Sequence, residues 1–384
     1  MKKNLLLIPC ISIFIAQLGM TMYLPAVPEI ASDLHLNINH TSWMLSSYLI
    51  GMASLMLVWG GICDIWGGKK SMFFALIILF ACSVGVTLST NIYSLILIRF
   101  FQGVGAGGVS VIARSILRDN FRGDELAKAL SYLSIAFVIS LGIGQSIGSV
   151  ILTILGWKSI FYVLAFGALI SMLLLSAKKY NHSKNEKNSV YKYINLLKNK
   201  YYIYAVFIGG IGYGAIISFN IMAPLIFKFN FGWSESQYGI IGIPISMSYL
   251  LGAIILNRYI VYCGRANLMK IGIILILIGG VVMFVGSIVG GILEIILYSA
   301  YFLVVLGQAI NYPISLSIAS DKTPVTGSSV MALIGFIHQI IAAFVGGITG
   351  LFSYKESYIL PLTIIVLSSF LLFLFYKVNK KSEK

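Results

Sequence analysis

The sequence predicts an all-α membrane protein, with twelve transmembrane helices in two parallel six-helix repeats. Three observations carry this: the composition, the length of the apolar blocks and the placement of basic residues. Of 384 residues, 59% are hydrophobic and 10% charged, with a mean hydropathy of +0.94. A soluble domain carries about 25% charged residues, so this chain has too little polar surface to cover a water-soluble globule. Its apolar residues form blocks of about 18–25, the length that carries a helix across a hydrocarbon core of about 30 Å. Lysines and arginines collect in alternate loops, as they do when one side of a membrane retains them.

The first six spans read as roughly 5–25, 42–63, 71–89, 92–117, 130–155 and 160–177 by block length. The second six read as roughly 201–227, 237–257, 268–288, 292–318, 326–351 and 356–377 on the same basis. The apolar run after Met1-Lys2-Lys3 reaches about Leu24, longer than a signal-peptide core, and reads as an uncleaved first span. The domain plan is an N-terminal six-helix bundle (1–177), a basic cytoplasmic linker (178–200) and a C-terminal six-helix bundle with a short tail (201–384). The linker holds Lys178, Lys179, Lys184, Lys187, Lys192, Lys198 and Lys200 against one acid, Glu186.

With the N-terminus inside, only Lys158, Lys228 and Lys355 of the 27 basic residues fall on the outer side, and Arg99 and Arg114 fall within the fourth span. This bias predicts a multi-pass protein of the inner membrane with both termini cytoplasmic. The net charge of +15 does not indicate nucleic acid, because the cations are dispersed among short loops with no basic face. Cys10, Cys63, Cys82 and Cys263 lie within or at the ends of apolar blocks without paired spacing, and they predict neither a metal site nor a disulfide framework. No nucleotide loop or nucleophile triad is present, so the chain is expected to be neither an enzyme nor dependent on a cofactor.

The halves echo each other at an offset near 197–199: Pro25 with Pro224, Gly67 with Gly264, Trp157-Lys158 with Tyr354-Lys355. Parallel repeats of this kind build transporters with a midplane site between halves.

The loop after the second span reads Gly60-Gly61-Ile62-Cys63-Asp64-Ile65-Trp66-Gly67-Gly68-Lys69-Lys70. It resembles the loop signature of the major facilitator superfamily, G-x-L-A-D-R-x-G-R-K. Gly60, Asp64, Gly67 and Lys69 fit, while Ile65 and Gly68 replace the usual arginines. The fourth span, Leu95 to Ala106, matches the same family's L-x-x-x-R-x-x-Q-G-x-G-A pattern through Arg99, Gln102, Gly103 and Gly105. Three further stretches resemble its Bcr/CflA drug-efflux branch: Ala113-Arg114 through Arg118-Asp119-Asn120-Phe121, Gly156-Trp157-Lys158-Ser159-Ile160-Phe161, and Met20 to Pro28. Two departures stand out. Thr21 occupies the place where that branch carries an aspartate, and the run Gly144-Gln145-Ser146-Ile147-Gly148 lacks the proline of its span-five motif.

The resemblance implies the major facilitator fold and a secondary transporter in which two bundles rock around a central cavity. It implies a multidrug-type exporter, an antiporter of small organic compounds, working as a monomer in the lipid bilayer. It also implies that Gly60, Asp64, Gly67, Lys69, Arg118 and Asp119 form a gate latch. Because Thr21 removes the embedded carboxylate, protons as coupling ion stay open. A dedicated metabolite or siderophore-type metallophore carrier, importing or exporting without proton coupling, is the alternative reading.

Polar side chains inside apolar spans are the candidates for a substrate cavity: Gln17, Thr21, Arg99, Gln102, Asn220, Gln308, Asn311 and His338. A charged side chain at mid-membrane costs about 2.5–3.5 kcal/mol on insertion scales, so Arg99 requires a partner or a watery cavity. His338 is the one clearly intraspan group with an ordinary pKa near neutrality.

Overall fold

The computed structural model describes residues 5–34, 42–177, 189–233, 241–321, 323, 325, 327–350, 352 and 356–379. The expected linker stretch 178–188 and the Tyr354-Lys355 echo lie outside the described residues. The helices are α1 (Leu7–Thr21), α2 (Val27–Asp33), α3 (Ser42–Ser54), α4 (Met56–Trp66), α5 (Gly68–Thr87), α6 (Ile92–Asn120), α7 (Gly123–Leu155) and α8 (Trp157–Ser176). They continue with α9 (Ser189–Lys198), α10 (Lys200–Phe229), α11 (Gly242–Val289), α12 (Gly291–Tyr298), α13 (Tyr301–Asp321), α14 (Ser329–Gly350) and α15 (Ile359–Asn379).

Nine of the described helices are long and apolar enough to cross a membrane. One of them, α11, is two helices joined at Gly264. The α3–α4 pair is a further span bent by 45°, which makes ten by length and composition among the described residues; the 33-residue α7 stands outside that count. A helix of that length runs about 50 Å, ample for a bilayer.

Several boundaries differ from the sequence reading. The eighth and ninth spans have no loop between them, only Gly264 at φ +74°. The tenth span, expected to be continuous from about residue 292, is interrupted between Tyr298 and Tyr301. The basic linker contains a helix, α9. The fifth span, whose motif lacks a proline, runs unbroken as α7.

Contacts group the chain into two compact units. The first comprises Met1–Phe121, Ala136–Ile194 and Val325–Phe336. Within it α6 is central and packs on α1, α3, α4 and α5, while α8 packs on α1 and α5. The second comprises Arg122–Ile135, Asn195–Pro324 and Ile337–Lys384. There α13 packs on α10 and α11, and α15 on the same two helices.

Small residues let these helices meet backbone to backbone. A methyl group at Gly103 would fall on the Tyr48 carbonyl oxygen, and one at Gly51 on that of Phe100, so α3 and α6 cross at van der Waals limit. The Gly144/Gly148 pair does the same for α7 on α1: a methyl at Gly148 would fall on the Met22 carbonyl and one at Gly144 on the Thr21 hydroxyl. In a bilayer, where lipid tails are as apolar as leucine, such close packing is what holds helices together.

The junctions carry the remaining signal. Gly67 has φ +86°, ψ 157° and Gly264 has φ +74°, ψ 159°. Both lie in the region open to glycine alone at little cost. The two halves therefore turn from their second to their third span by the same one-residue device.

Candidate functional site

In the first unit, α6 carries Arg99 and Gln102 one turn apart, on the face turned to α1, α3 and α5. Arg99 is wholly buried. Its Nη1 donates to the Gly19 carbonyl at 2.9 Å and to Gln102 Oε1 at 2.7 Å, and its Nε donates to the Met44 carbonyl at 3.4 Å. The guanidinium lies 4.1 Å from the Tyr23 ring centroid and 4.6 Å from that of Tyr48, with Phe161 at 6.0 Å. Aromatic faces and carbonyl dipoles thus replace the water that the cation has lost. No carboxylate among the described residues takes part, and Nη2 has no hydrogen-bond partner there. The sequence reading called for a partner or a watery cavity, and the partners are found.

Gln102 passes the chain of hydrogen bonds on, donating to Ser83 Oγ at 2.8 Å, which donates to the Leu79 carbonyl at 2.6 Å. Gln17 is buried and donates to Ser110 Oγ at 3.3 Å. Thr21 donates weakly to the Ser140 carbonyl at 3.4 Å, with no carboxylate in its place. All four candidates of this unit are helix-bridging groups.

The loop residues converge elsewhere in the same unit. Asp64 is buried. It accepts from Lys192 Nζ at 2.7 Å and from Ser329 Oγ at 2.7 Å, and also from the Ser328 backbone N–H. Ser328 precedes and Ser329 begins α14, so the carboxylate sits at a helix N-terminus, where free N–H groups and the helix dipole favour an anion. Arg118 donates from Nη1 to the Gly327 carbonyl at 2.8 Å and from Nη2 to the Val325 carbonyl at 2.9 Å. Gly60 supplies clearance, because a methyl there would press on Ala332 Cβ and the Tyr193 hydroxyl. Gly67 shapes the turn. Lys69 points away and donates to the Ser176 carbonyl at 2.8 Å. Asp119 is half-buried in the last turn of α6.

The second unit holds the other four candidates. His338 Nε2 lies 2.9 Å from the Val206 carbonyl, which can only accept, so Nε2 carries the proton. Nδ1 then faces the Tyr312 hydroxyl at 3.4 Å. Both ring nitrogens have a hydrogen-bond partner. Asn311 lies against a turn of α11; with its amide turned so that both atoms are satisfied, it donates to the Met269 carbonyl at 2.9 Å and accepts from the Ile273 N–H at 3.2 Å. Gln308 donates to the Gly209 carbonyl at 3.3 Å. Asn220 is exposed. A separate cavity of about 110 Å³ is lined mainly by Phe219, Phe227, Trp233, Tyr298, Tyr301 and Phe302. Drug-sized ligands occupy pockets of about 300–1,000 Å³, so this one is too small for them.

Sequence reasoning missed several participants. In the sequence Lys192 reads only as one of the linker lysines and Tyr193 carries no mark; Tyr193 donates to the Leu57 carbonyl at 2.6 Å. Burial pushes its phenol above the ordinary range, so it stays a neutral donor. The signal for Lys192 was the vacant arginine positions at Ile65 and Gly68, which leave Asp64 in want of a cation. Tyr23 and Tyr48 gave no comparable signal.

The model of the Major Facilitator Superfamily matches residues 10–347, and the chain belongs to that family. It is 26% identical over 345 residues to a Bacillus subtilis protein described as an uncharacterized MFS-type transporter, YdgK, covering 87% of this chain and 85% of that one. It is 23% identical over 344 residues to the bicyclomycin resistance protein homolog of Haemophilus influenzae, covering 86% and 84%. It is 31% identical over 224 residues to the multidrug resistance protein MdtL of a Shewanella species, covering 57% of each chain. Among solved structures, the proton:xylose symporter XylE superposes with a TM-score of 0.76 at 14% identity, covering 98% of this chain and 95% of that one. The protein is therefore a multi-pass membrane transporter with the major facilitator fold, and not an enzyme.

Proposed function

We propose that this chain exports small organic compounds of the multidrug type across the inner membrane by alternating access, as a monomer with both termini in the cytoplasm. The observation that carries the alternating-access part is the Asp64 cluster. A buried ion pair is weak evidence for stability, because desolvation offsets most of its attraction. Its best-attested use is as a register or switch element, and here it ties three separate stretches of chain, around Asp64, Lys192 and Ser328-Ser329. We read Gly60, Asp64, Gly67, Arg118 and Lys192 as the latch, with Lys192 standing in for the absent arginines. The name of the bicyclomycin resistance homolog and that of MdtL support export of drugs.

Thr21 supports a second reading, a metabolite or metallophore carrier without strong proton coupling, since no carboxylate stands where the related exporters hold one. His338 is the remaining intraspan titratable candidate. The test is flux in proteoliposomes against a panel of organic cations, anions and metallophores, with an imposed pH gradient and clamped membrane potential. We expect drug efflux with weak proton coupling that falls further in His338→Ala. Absence of flux for every drug, with transport of a metallophore or metabolite, would replace the first reading by the second. Strong proton-driven accumulation unaffected by His338→Ala would place the coupling group elsewhere.

A further inference from the structure

The linker helix α9 presents two different sides. One side is committed to protein: Lys192 is buried on Asp64, Tyr193 donates to the Leu57 carbonyl, and Leu196 is fully buried. At 100° per residue these three fall within one 100° arc. The other side carries Tyr191, Ile194 and Leu197, exposed by 63%, 45% and 54%. They recur at i, i+3 and i+6, a single apolar stripe, and the exposed Lys198 lies in the same arc.

What covers this stripe follows from where the helix sits. Only Asn199 separates α9 from α10, and its side chain caps that span by accepting from the Tyr201 and Tyr202 N–H groups, both at 3.1 Å. A helix ending one residue before a membrane span lies at the level where the hydrocarbon meets the headgroups. Tyrosine and lysine beside aliphatic side chains are the residues that settle at that boundary. The segment 178–200 around it has seven lysines and one glutamate, and clustered lysines next to a span are attracted to anionic headgroups.

We propose that α9 is an interfacial helix that docks on the anionic bilayer surface, seating Tyr191, Ile194 and Leu197 at the acyl boundary with Lys198 and Lys200 among the headgroups. The protein side of the same helix delivers Lys192 to Asp64, so lipid contact and the buried ion pair share one rigid element. Lipid composition would then bear on the Asp64–Lys192 pair at the end of α4. The docking itself does not depend on substrate, direction of transport or the role of the latch.

The test uses the full chain with Cys10, Cys63, Cys82 and Cys263 replaced by serine or alanine, and a spin label on Ile194→Cys, an exposed position that leaves the protein-facing side intact. The protein is placed in nanodiscs of phosphatidylcholine alone or mixed with phosphatidylglycerol. Collision with oxygen, which partitions into lipid, is compared with collision with a water-soluble nickel chelate. We expect oxygen to dominate in the anionic mixture, and the docked-to-undocked ratio to fall about fivefold for each lysine removed in Lys198→Gln and Lys200→Gln. A label open to the nickel chelate in both mixtures would overturn the proposal. So would equal docking in both, which would remove the anionic preference, and so would a label shielded from both probes, which would mean that protein, such as a second copy, covers the stripe. Since no transport is measured, a negative result leaves the functional reading untouched.

Discussion

At the residue scale, two buried charges solve the same problem by different means. Arg99 is dispersed among ring faces and carbonyls, whereas Asp64 is matched by one full cation and two helix-terminal donors. Breaking a buried pair from one side costs about 3–5 kcal/mol, because the remaining charge is left without compensation. Asp64→Asn therefore lowers the apparent melting temperature in detergent, and Lys192→Met lowers it less, since Asp64 keeps its Ser328 and Ser329 donors. The double variant falls short of the sum of the two by about 1 kcal/mol or more, the signature of residues in direct contact. Strict additivity would mean that the pair contributes nothing as a pair. The need of Asp64 for a cation was legible in the sequence, because the loop signature lacked its arginines. The identity of the cation was not, because only folding brings a residue 128 positions away to that loop. Likewise, an arginine within an apolar span announces that it must be satisfied, but Tyr23 and Tyr48 are chosen by the packing of α1 and α3 against α6.

At the element scale, the packing of helices rests on where a side chain is missing. The Gly148 position on α7 faces the carbonyl of Met22, the residue that ends α1, a backbone atom that cannot swing aside. Gly148→Ala forces the two helices apart and costs about 1–3 kcal/mol, as overpacking does. Gly347, also helical, has open space around it. There Gly347→Ala is neutral or stabilising by about 0.5–1 kcal/mol through its effect on backbone entropy. Melting and monodispersity of the two variants, side by side, check this; equal behaviour would refute the contact. The spans themselves were readable from apolar length alone. Their junctions were less so: a glycine after a span announces a turn, yet nothing in the pattern distinguishes a one-residue break at Gly264 from a short loop. The interruption before Tyr301 falls at Ser299-Ala300, where one serine in a largely apolar run leaves hydropathy little to mark.

At the scale of the whole molecule, the internal repeat is kept in geometry more than in chemistry. In the first unit the last turn of α4 supplies the acid, Asp64, and α9 supplies the cation. In the second unit the residue after the Gly264 junction supplies the cation: Arg265, 197 positions beyond Gly68, contacts Asp124 at 3.2 Å and Asp321 at 2.5 Å. An arginine at Gly68 would meet Ile116, where even a methyl group comes within 2.8 Å of a side-chain carbon. The basic residues of both junctions lie on the side that the charge bias assigns to the cytoplasm. A reporter fused after Lys384 tests that assignment: a fluorescent protein should mature and an alkaline phosphatase should stay inactive. Active phosphatase would reverse the orientation.

The single-residue junction at Gly264 also has a kinematic consequence. Two rods joined through one residue have no slack, so neither arm of α11 can slide along its axis without carrying the other. Their relative freedom reduces to rotation about a point, set by the two backbone torsions of Gly264. A displacement at Ile243 is thereby converted into a swing at Val289 instead of being absorbed on the way. An inserted residue at this point would add axial play and uncouple the arms while leaving each arm helical.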